Sequence, residues 1–172
     1  SHKVLTDTLW AGERSTNPDM ALRAILHRFR LMIDAEGLDE MKDCIVTSRG
    51  YYQWNPHLDC SVDVFEVNDL SELARKESDA EKRSRIYEQI VNLYDGRLLP
   101  QSASEPWVES VSVRLHGQYR TAILNLLELC KKWGESTRIV TLCTRALELD
   151  PYEERLYLEM IQALETLGRH EQ

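Results

Sequence analysis

The sequence predicts a mostly α-helical protein in which an antiparallel helix array follows a small mixed segment containing one β-hairpin. Three observations carry that prediction. Near the end of the chain Gly134 and Gly168 stand 34 residues apart, with the run Ala146-Leu147-Glu148-Leu149-Asp150-Pro151 between them. From about Val64 onward, apolar residues recur at helical spacing in one segment after another. Between Cys44 and Trp54 a β-branched run meets Arg49-Gly50 and leaves through Tyr51, Tyr52 and Trp54, the pattern of a strand, a tight turn and a second strand.

The 34-residue recurrence has the period of tetratricopeptide-type helix pairs. In this reading a glycine opens the second helix of each pair, and Ala146 is small where two helices cross closely. Asp150-Pro151 stops one helix and starts the next, because proline cannot donate to the ladder of a preceding helix. Each helix alone would leave an apolar stripe in water, so stacking the pairs supplies the core. Arrays of this kind bind other proteins and rarely do chemistry.

The elements follow in chain order. Short helices come first, and the segment from Pro18 to about Asp34 has a clear start. Asn17 is a good N-cap, Pro18 suits the first helical position and Asp19 suits the positive end of the helix dipole. Leu22, Ile25, Leu26, Phe29, Met32 and Ile33 then form an apolar stripe, and the hairpin follows. The texture changes near Asn55-Pro56, which divides the chain into residues 1–58 and 59–172. Beyond the division an amphipathic helix runs from about Val64 to Lys76, and a break near Ser78-Asp79 precedes a helix ending near Tyr94. That second helix has Ile86, Ile90, Val91 and Leu93 as apolar positions, and Asp95-Gly96 ends it. Residues 97–104 read as a loop, and Ser104-Glu105-Pro106 caps a long helix to about Trp133. Its partner spans Ser136 to Leu149, and a last helix runs from about Pro151 to Leu167, with a further helix expected beyond Gly168.

The 172 residues suffice for one large domain or two small ones. A net charge of -8 argues against wholesale binding to nucleic acid or to an anionic membrane, so any DNA contact must come from a local basic patch. Cys44, Cys60, Cys130 and Cys143 show no zinc-type spacing and read as buried thiols of a reducing compartment. No apolar run spans a bilayer and no charged-then-apolar leader opens the chain, which points to a cytoplasmic protein.

One such basic patch exists. Opposite the apolar stripe of the Pro18 helix stand Met20, Arg23, Ala24, His27, Arg28 and Leu31, with Arg30 on the flank, and the hairpin turn carries Arg49 followed by Tyr51. A cationic helix followed by an Arg-bearing hairpin is how a winged helix meets DNA, the helix in the major groove and the wing on a minor groove or phosphate. The candidate DNA-binding residues are therefore Arg23, Ala24, His27, Arg28, Arg30, Arg49 and Tyr51. Arg23, Ala24 and His27 are assigned to the groove floor and Arg28, Arg30 and Arg49 to the backbone, since positions two apart lie on different sides of a helix.

These residues also resemble a known family. Leu9-Trp10, Ala21-Leu22, His27-Arg28-Phe29-Arg30 and the stretch Val46 to Pro56 resemble the second helix, recognition helix and wing of the OmpR-type winged-helix domain. Asp63-Val64-Phe65-Glu66, the stretch Leu93 to Pro100, Glu105-Pro106-Trp107-Val108-Glu109 and Arg114-Leu115 resemble landmarks of the bacterial transcriptional activation domain, which follows a winged helix in SARP-type activators. Members of that family have an N-terminal strand sheet and a first helix ahead of the segment that begins here at about Lys3, so the chain is expected to be part of a longer protein. The fold expected is mostly α: a tetratricopeptide-like array preceded by a partial winged helix with a small β-hairpin wing. The resemblance implies a regulator that binds double-stranded promoter DNA, contacts RNA polymerase and works with two copies on direct repeats.

Other residues invite function less strongly. The cations could be the solvated face of any helix in an acidic protein. Trp107, Trp133 and Tyr119 could line a peptide groove, but aromatics on helices are more often core. The histidines at 2, 27, 57, 116 and 170 are too scattered for a metal site, the acidic run Asp150 to Glu154 reads as a helix start, and the remaining Glu-rich helices suggest solvated faces. No nucleophile–base pairing, phosphate-cradling loop or ligand pattern points to an enzyme, a metal or a cofactor. The alternative reading is an interaction scaffold in which the array binds a partner or itself without DNA.

Overall fold

The computed structural model describes residues 1–10, 17–96 and 98–168. Its chain divides into two units, Ser1–Cys60 and Ser61–Gln172. Arg97 and His170 lie outside the described residues.

The first unit consists of helix α1 (His2–Leu9), helix α2 (Pro18–Ala35), a single 3-10 turn (Asp39–Met41) and a hairpin of β1 (Ile45–Ser48) and β2 (Tyr51–Trp54). At the start of α2 the expected cap is present: Asn17 Oδ1 accepts from the Met20 amide at 3.0 Å, with Pro18 in the first turn. The hairpin is antiparallel with Ser48 opposite Tyr51, so Arg49 and Gly50 alone make the turn. Both have positive φ, 49° and 79°, the geometry of a type I′ turn, whose twist matches that of the strands. Glycine takes that conformation freely, whereas Arg49 sits there against its side-chain sterics.

This unit buries little. Among its described residues Leu22, Ile33 and Cys44 are the buried apolar ones, with Leu26 and Phe29 partly buried. Ile25 and Met32, expected on the same stripe, are 46% and 57% exposed. At about 100° per residue they point roughly 70–90° away from the mean direction of Leu22 and Ile33, outside the arc that the described residues of the unit cover.

The second unit is a run of five helices: α3 (Asp63–Lys76), α4 (Ala80–Leu93), α5 (Pro106–Trp133), α6 (Ser136–Leu149) and α7 (Glu154–Thr166). Successive helices pack together, and α3 also packs on α5, so α3, α5 and α7 hold the first place in successive pairs. One core runs through all five, including Ile90, Val91, Leu126, Leu127, Cys130 and Cys143. Small buried residues occur on four of these helices: Ala74, Ala122, Ala146 and Ala163 are each at most 4% exposed, and Ala146 is fully buried as its role at a close crossing requires.

The recurrent glycine does something different from what its position suggests. Gly134 closes α5 rather than opening α6: with φ of 73°, it donates to the Lys131 carbonyl at 3.1 Å while the Glu135 amide donates to the Cys130 carbonyl at 2.9 Å. That pair of bonds is a Schellman motif. Gly168 makes the same inner bond at the end of α7, donating to the Glu165 carbonyl at 2.9 Å with φ of 68°. The 34-residue spacing therefore measures the distance between equivalent helix ends.

Other boundaries also shift. The last helix begins at Glu154, since Pro151 and Tyr152 form a turn after α6. Neither the Ser104 nor the Glu105 side chain accepts a capping hydrogen bond from the first turn of α5, which starts with Pro106. The loop before α5 contains a 3-10 turn, Pro100–Ser102.

Candidate functional site

Every residue named for DNA contact is exposed: Arg23, Ala24, His27, Arg28 and Arg30 on α2, and Arg49 and Tyr51 on the hairpin. Among the described residues, none of these four arginines forms an ion pair or a side-chain hydrogen bond. Asp19 stands in the first turn of α2, but most of the described acidic residues of the unit gather around its C-terminal end, at Asp34, Glu36, Asp39, Glu40 and Asp43. There Lys42 bridges Asp39 at 2.7 Å and Asp34 at 3.0 Å, and the hydrogen bond it donates to Asp39, then that to Asp34, pushes the lysine up to about 12. Along α2 the free guanidinium groups of Arg23, Arg28 and Arg30 thus stand between Asp19 in its first turn and the carboxylates that begin with Asp34 near its end.

The helix geometry ranks the exposed positions. The direction opposite Leu22 and Ile33 falls on Ala24 and Leu31, with Met20 close by. Arg28 stands on one shoulder of that ridge, and Arg23, His27 and Arg30 stand together on the other. Met20 and Leu31 are 67% and 54% exposed, so the outermost line of the helix is small or apolar and is flanked by cations.

The hairpin turn and the start of α2 are held by one residue that sequence reasoning left out. The His2 amide donates to the Gly50 carbonyl at 3.0 Å, its ring lies 5.8 Å from that of Tyr52, and its Nδ1 is 3.4 Å from the Asp19 carboxylate. His2 thereby joins α1, the turn that carries Arg49 and the first turn of α2. Nothing in the spacing of His2, Asp19 and Tyr52 signals this, because the three meet only through the fold. At the open end of the hairpin, the Asn55 amide donates to the Cys44 carbonyl at 2.8 Å.

The helical unit matches a known family. A family model described as the bacterial transcriptional activator domain covers residues 62–172. The chain belongs to this family. Comparison with curated proteins and with solved structures gave no match.

Within the activator domain, polar links run between the pairs. The Tyr94 hydroxyl lies 3.3 Å from His116 Nδ1, His116 Nε2 lies 3.6 Å from Asp150, and the Tyr94 ring stacks on Tyr119 at 4.7 Å. Burial raises both phenols above their ordinary range. The acidic run at the α6–α7 turn reaches back to α5 as well as serving a helix start: Arg120 Nε donates to Glu153 at 2.5 Å and holds that carboxyl below its usual range. Glu159 departs further from a solvated face. It is 7% exposed, and Lys131 Nζ pairs with it at 2.5 Å, as a buried charge requires.

The aromatic candidates divide. Tyr119 is core at 2% exposure, whereas Trp107 and Trp133 are 38% and 40% exposed and are not. Of the cysteines, Cys44, Cys130 and Cys143 are buried free thiols and Cys60 is exposed. Among the described residues no cluster of metal-ligating side chains occurs, and no helix is long and apolar enough to cross a membrane.

Proposed function

We propose that this chain is the DNA-contacting and effector part of a bacterial transcription activator, with Ser1–Cys60 acting as the second half of a winged helix and the activator domain contacting protein. The family membership supports transcriptional activation. The observation that carries the DNA reading is the set of exposed, free arginines on α2 and the hairpin turn of an otherwise acidic chain, those on α2 flanking an exposed apolar ridge. In this reading α2 lies in the major groove of double-stranded promoter DNA. Ala24 and the ridge around it meet base edges, where apolar contact suits a thymine methyl, while the arginines on both shoulders meet phosphate or guanine. Arg49 reaches from the turn to the neighbouring backbone or minor groove, with Tyr51 beside it.

The helical array supplies the second half of the function. In this reading it is the surface that recruits RNA polymerase, and two copies on direct repeats would present it twice. The chemistry needs no catalytic group, metal or cofactor, and the site of action is the cytoplasm. The test is run-off transcription from the protein's own upstream region with purified bacterial RNA polymerase. Added protein should raise the transcript, and Arg28→Ala and Arg49→Asn should each remove most of that gain. A scaffold without DNA binding predicts no effect of either substitution on the transcript, and self-association visible by sedimentation.

A further inference from the structure

We infer that the activator domain carries a binding site for a small aromatic carboxylate, in the cavity where α3 and α5 diverge over α4. The cavity measures about 290 Å³, at the lower end of the range for small-ligand pockets. Tyr87 and Ile90 of α4, both buried, form its floor, and Ala74 of α3 and Ala122 of α5 line it with small apolar surface. The site lies within one unit, and the inference does not rest on the DNA reading.

Gly117 is the first argument. It lies in the middle of the 28-residue helix α5, where glycine is unfavourable relative to alanine. Three things could justify it: a backbone conformation that needs glycine, close approach of a neighbouring helix, or space that must stay open. Its φ is not among the positive ones, and a Cβ built on it would meet nothing within 4 Å. The remaining consequence of the missing side chain is the open volume beside it, and Gly117 lines this cavity.

Charge is the second argument. The chain has 29 acidic residues against 21 lysines and arginines, yet the cavity lining contains Arg75 and Arg114 and no carboxylate. Arg114 forms no ion pair with a described residue. Arg75 pairs with Glu72 one turn back, and both side chains are more than half exposed, so the pair is weak and a ligand anion can compete for the guanidinium. Two guanidinium groups over an apolar floor with a tyrosine ring suit a carboxylate joined to an aromatic body. By contrast, the cavity of about 380 Å³ beside Trp133 sets three carboxylates, Glu81, Glu88 and Glu135, against Arg85 and Arg138, and Arg138 already bonds to two of them.

The test is calorimetric titration of the chain with phenylacetate, indole-3-acetate and 1-naphthylacetate, with 1-naphthylacetamide as the uncharged control. A tripeptide ending in phenylalanine, with free or amidated C-terminus, is the second arm. At least one acid should saturate at one per chain, and the amide should bind about tenfold more weakly or not at all. Arg75→Gln with Arg114→Gln should weaken the acid by at least about tenfold. Gly117→Leu should abolish binding while the urea midpoint stays level or rises, which separates occlusion of the site from unfolding. Absence of saturable binding by every acid at millimolar concentration, or binding that survives Gly117→Leu, would overturn the inference. Preference for the free-carboxylate tripeptide over all three acids would overturn it in favour of a peptide terminus.

Discussion

Two glycines of α5 make opposite predictions for the same substitution. Gly117 and Gly134 both have open space where a Cβ would stand, so alanine clashes at neither. At Gly117 the backbone is helical and alanine is preferred by about 0.5–1 kcal/mol. At Gly134 the φ of 73° places alanine in the left-handed region, a strain of roughly 1–2 kcal/mol. Loss of unfolded-chain freedom offsets about 0.4–1 kcal/mol of that, leaving Gly134→Ala destabilising by about 1 kcal/mol. With a urea slope of about 2 kcal/mol/M, the midpoint should rise by about 0.3 M for Gly117→Ala and fall by about 0.5 M for Gly134→Ala. Circular dichroism at a helix wavelength follows the transition of the helical unit, which holds most of the helix. Shifts of the same sign in the two variants, or no change at Gly134, would refute the assignment of Gly134 as the Schellman terminus of α5.

Further predictions rest on burial and charge. Burial pushes the Cys130 thiol up to about 11 and the Cys143 thiol up to about 12, and Cys44 is buried as well, so a thiol reagent near neutral pH should label Cys60 rapidly and the other three only in denaturant. More than one fast thiol in the native chain would contradict the packing. Because Arg120 lowers the folded-state value of Glu153, the stability this pair contributes is present above the ordinary carboxyl value of 4.5 and is lost as pH falls through the lowered one. Urea midpoints of the parent and of Arg120→Gln should therefore differ by a constant amount at neutral pH and converge in acid; a gap that persists in acid would show that the pair acts through packing alone.

How much of this could be read beforehand depended on whether the cause was local. The Asn17-Pro18 helix start, the break at Gly134 and the Arg49-Gly50 turn rest on residues adjacent in sequence, and their positions were legible. The same local signals left the role of Gly134 open, since a glycine between two helices can close one or open the other until its φ is known. The I′ turn was concealed in part because its first position holds arginine where asparagine or aspartate is usual. Burial was harder to read. Ile25 and Met32 fit an apolar period but find no cover among the described residues of their unit, and Trp107 and Trp133, at the two ends of α5, stay more than a third exposed. Glu159 and Glu153 resemble solvated carboxylates until α5 brings Lys131 and Arg120 to them. The exposure of the basic patch and of Met20, Ala24 and Leu31 within it followed from periodicity, but the His2 tie to Gly50 and Asp19 joins residues far apart in sequence and appears only in the fold.

The most direct test of the account is a titration of the protein on its own upstream DNA at several salt concentrations. Three phosphate contacts, from Arg28, Arg30 and Arg49, predict that log affinity falls with log salt at a slope of about −3 per bound copy. Arg49→Asn, which suits the left-handed turn position and should leave the hairpin intact, should reduce the slope by about 1. Sequence-dependent binding with that slope and that loss is the predicted result. Weak binding equal on all sequences, or a slope unchanged by Arg49→Asn, would contradict the assignment of α2 and the hairpin turn as the DNA-reading surface.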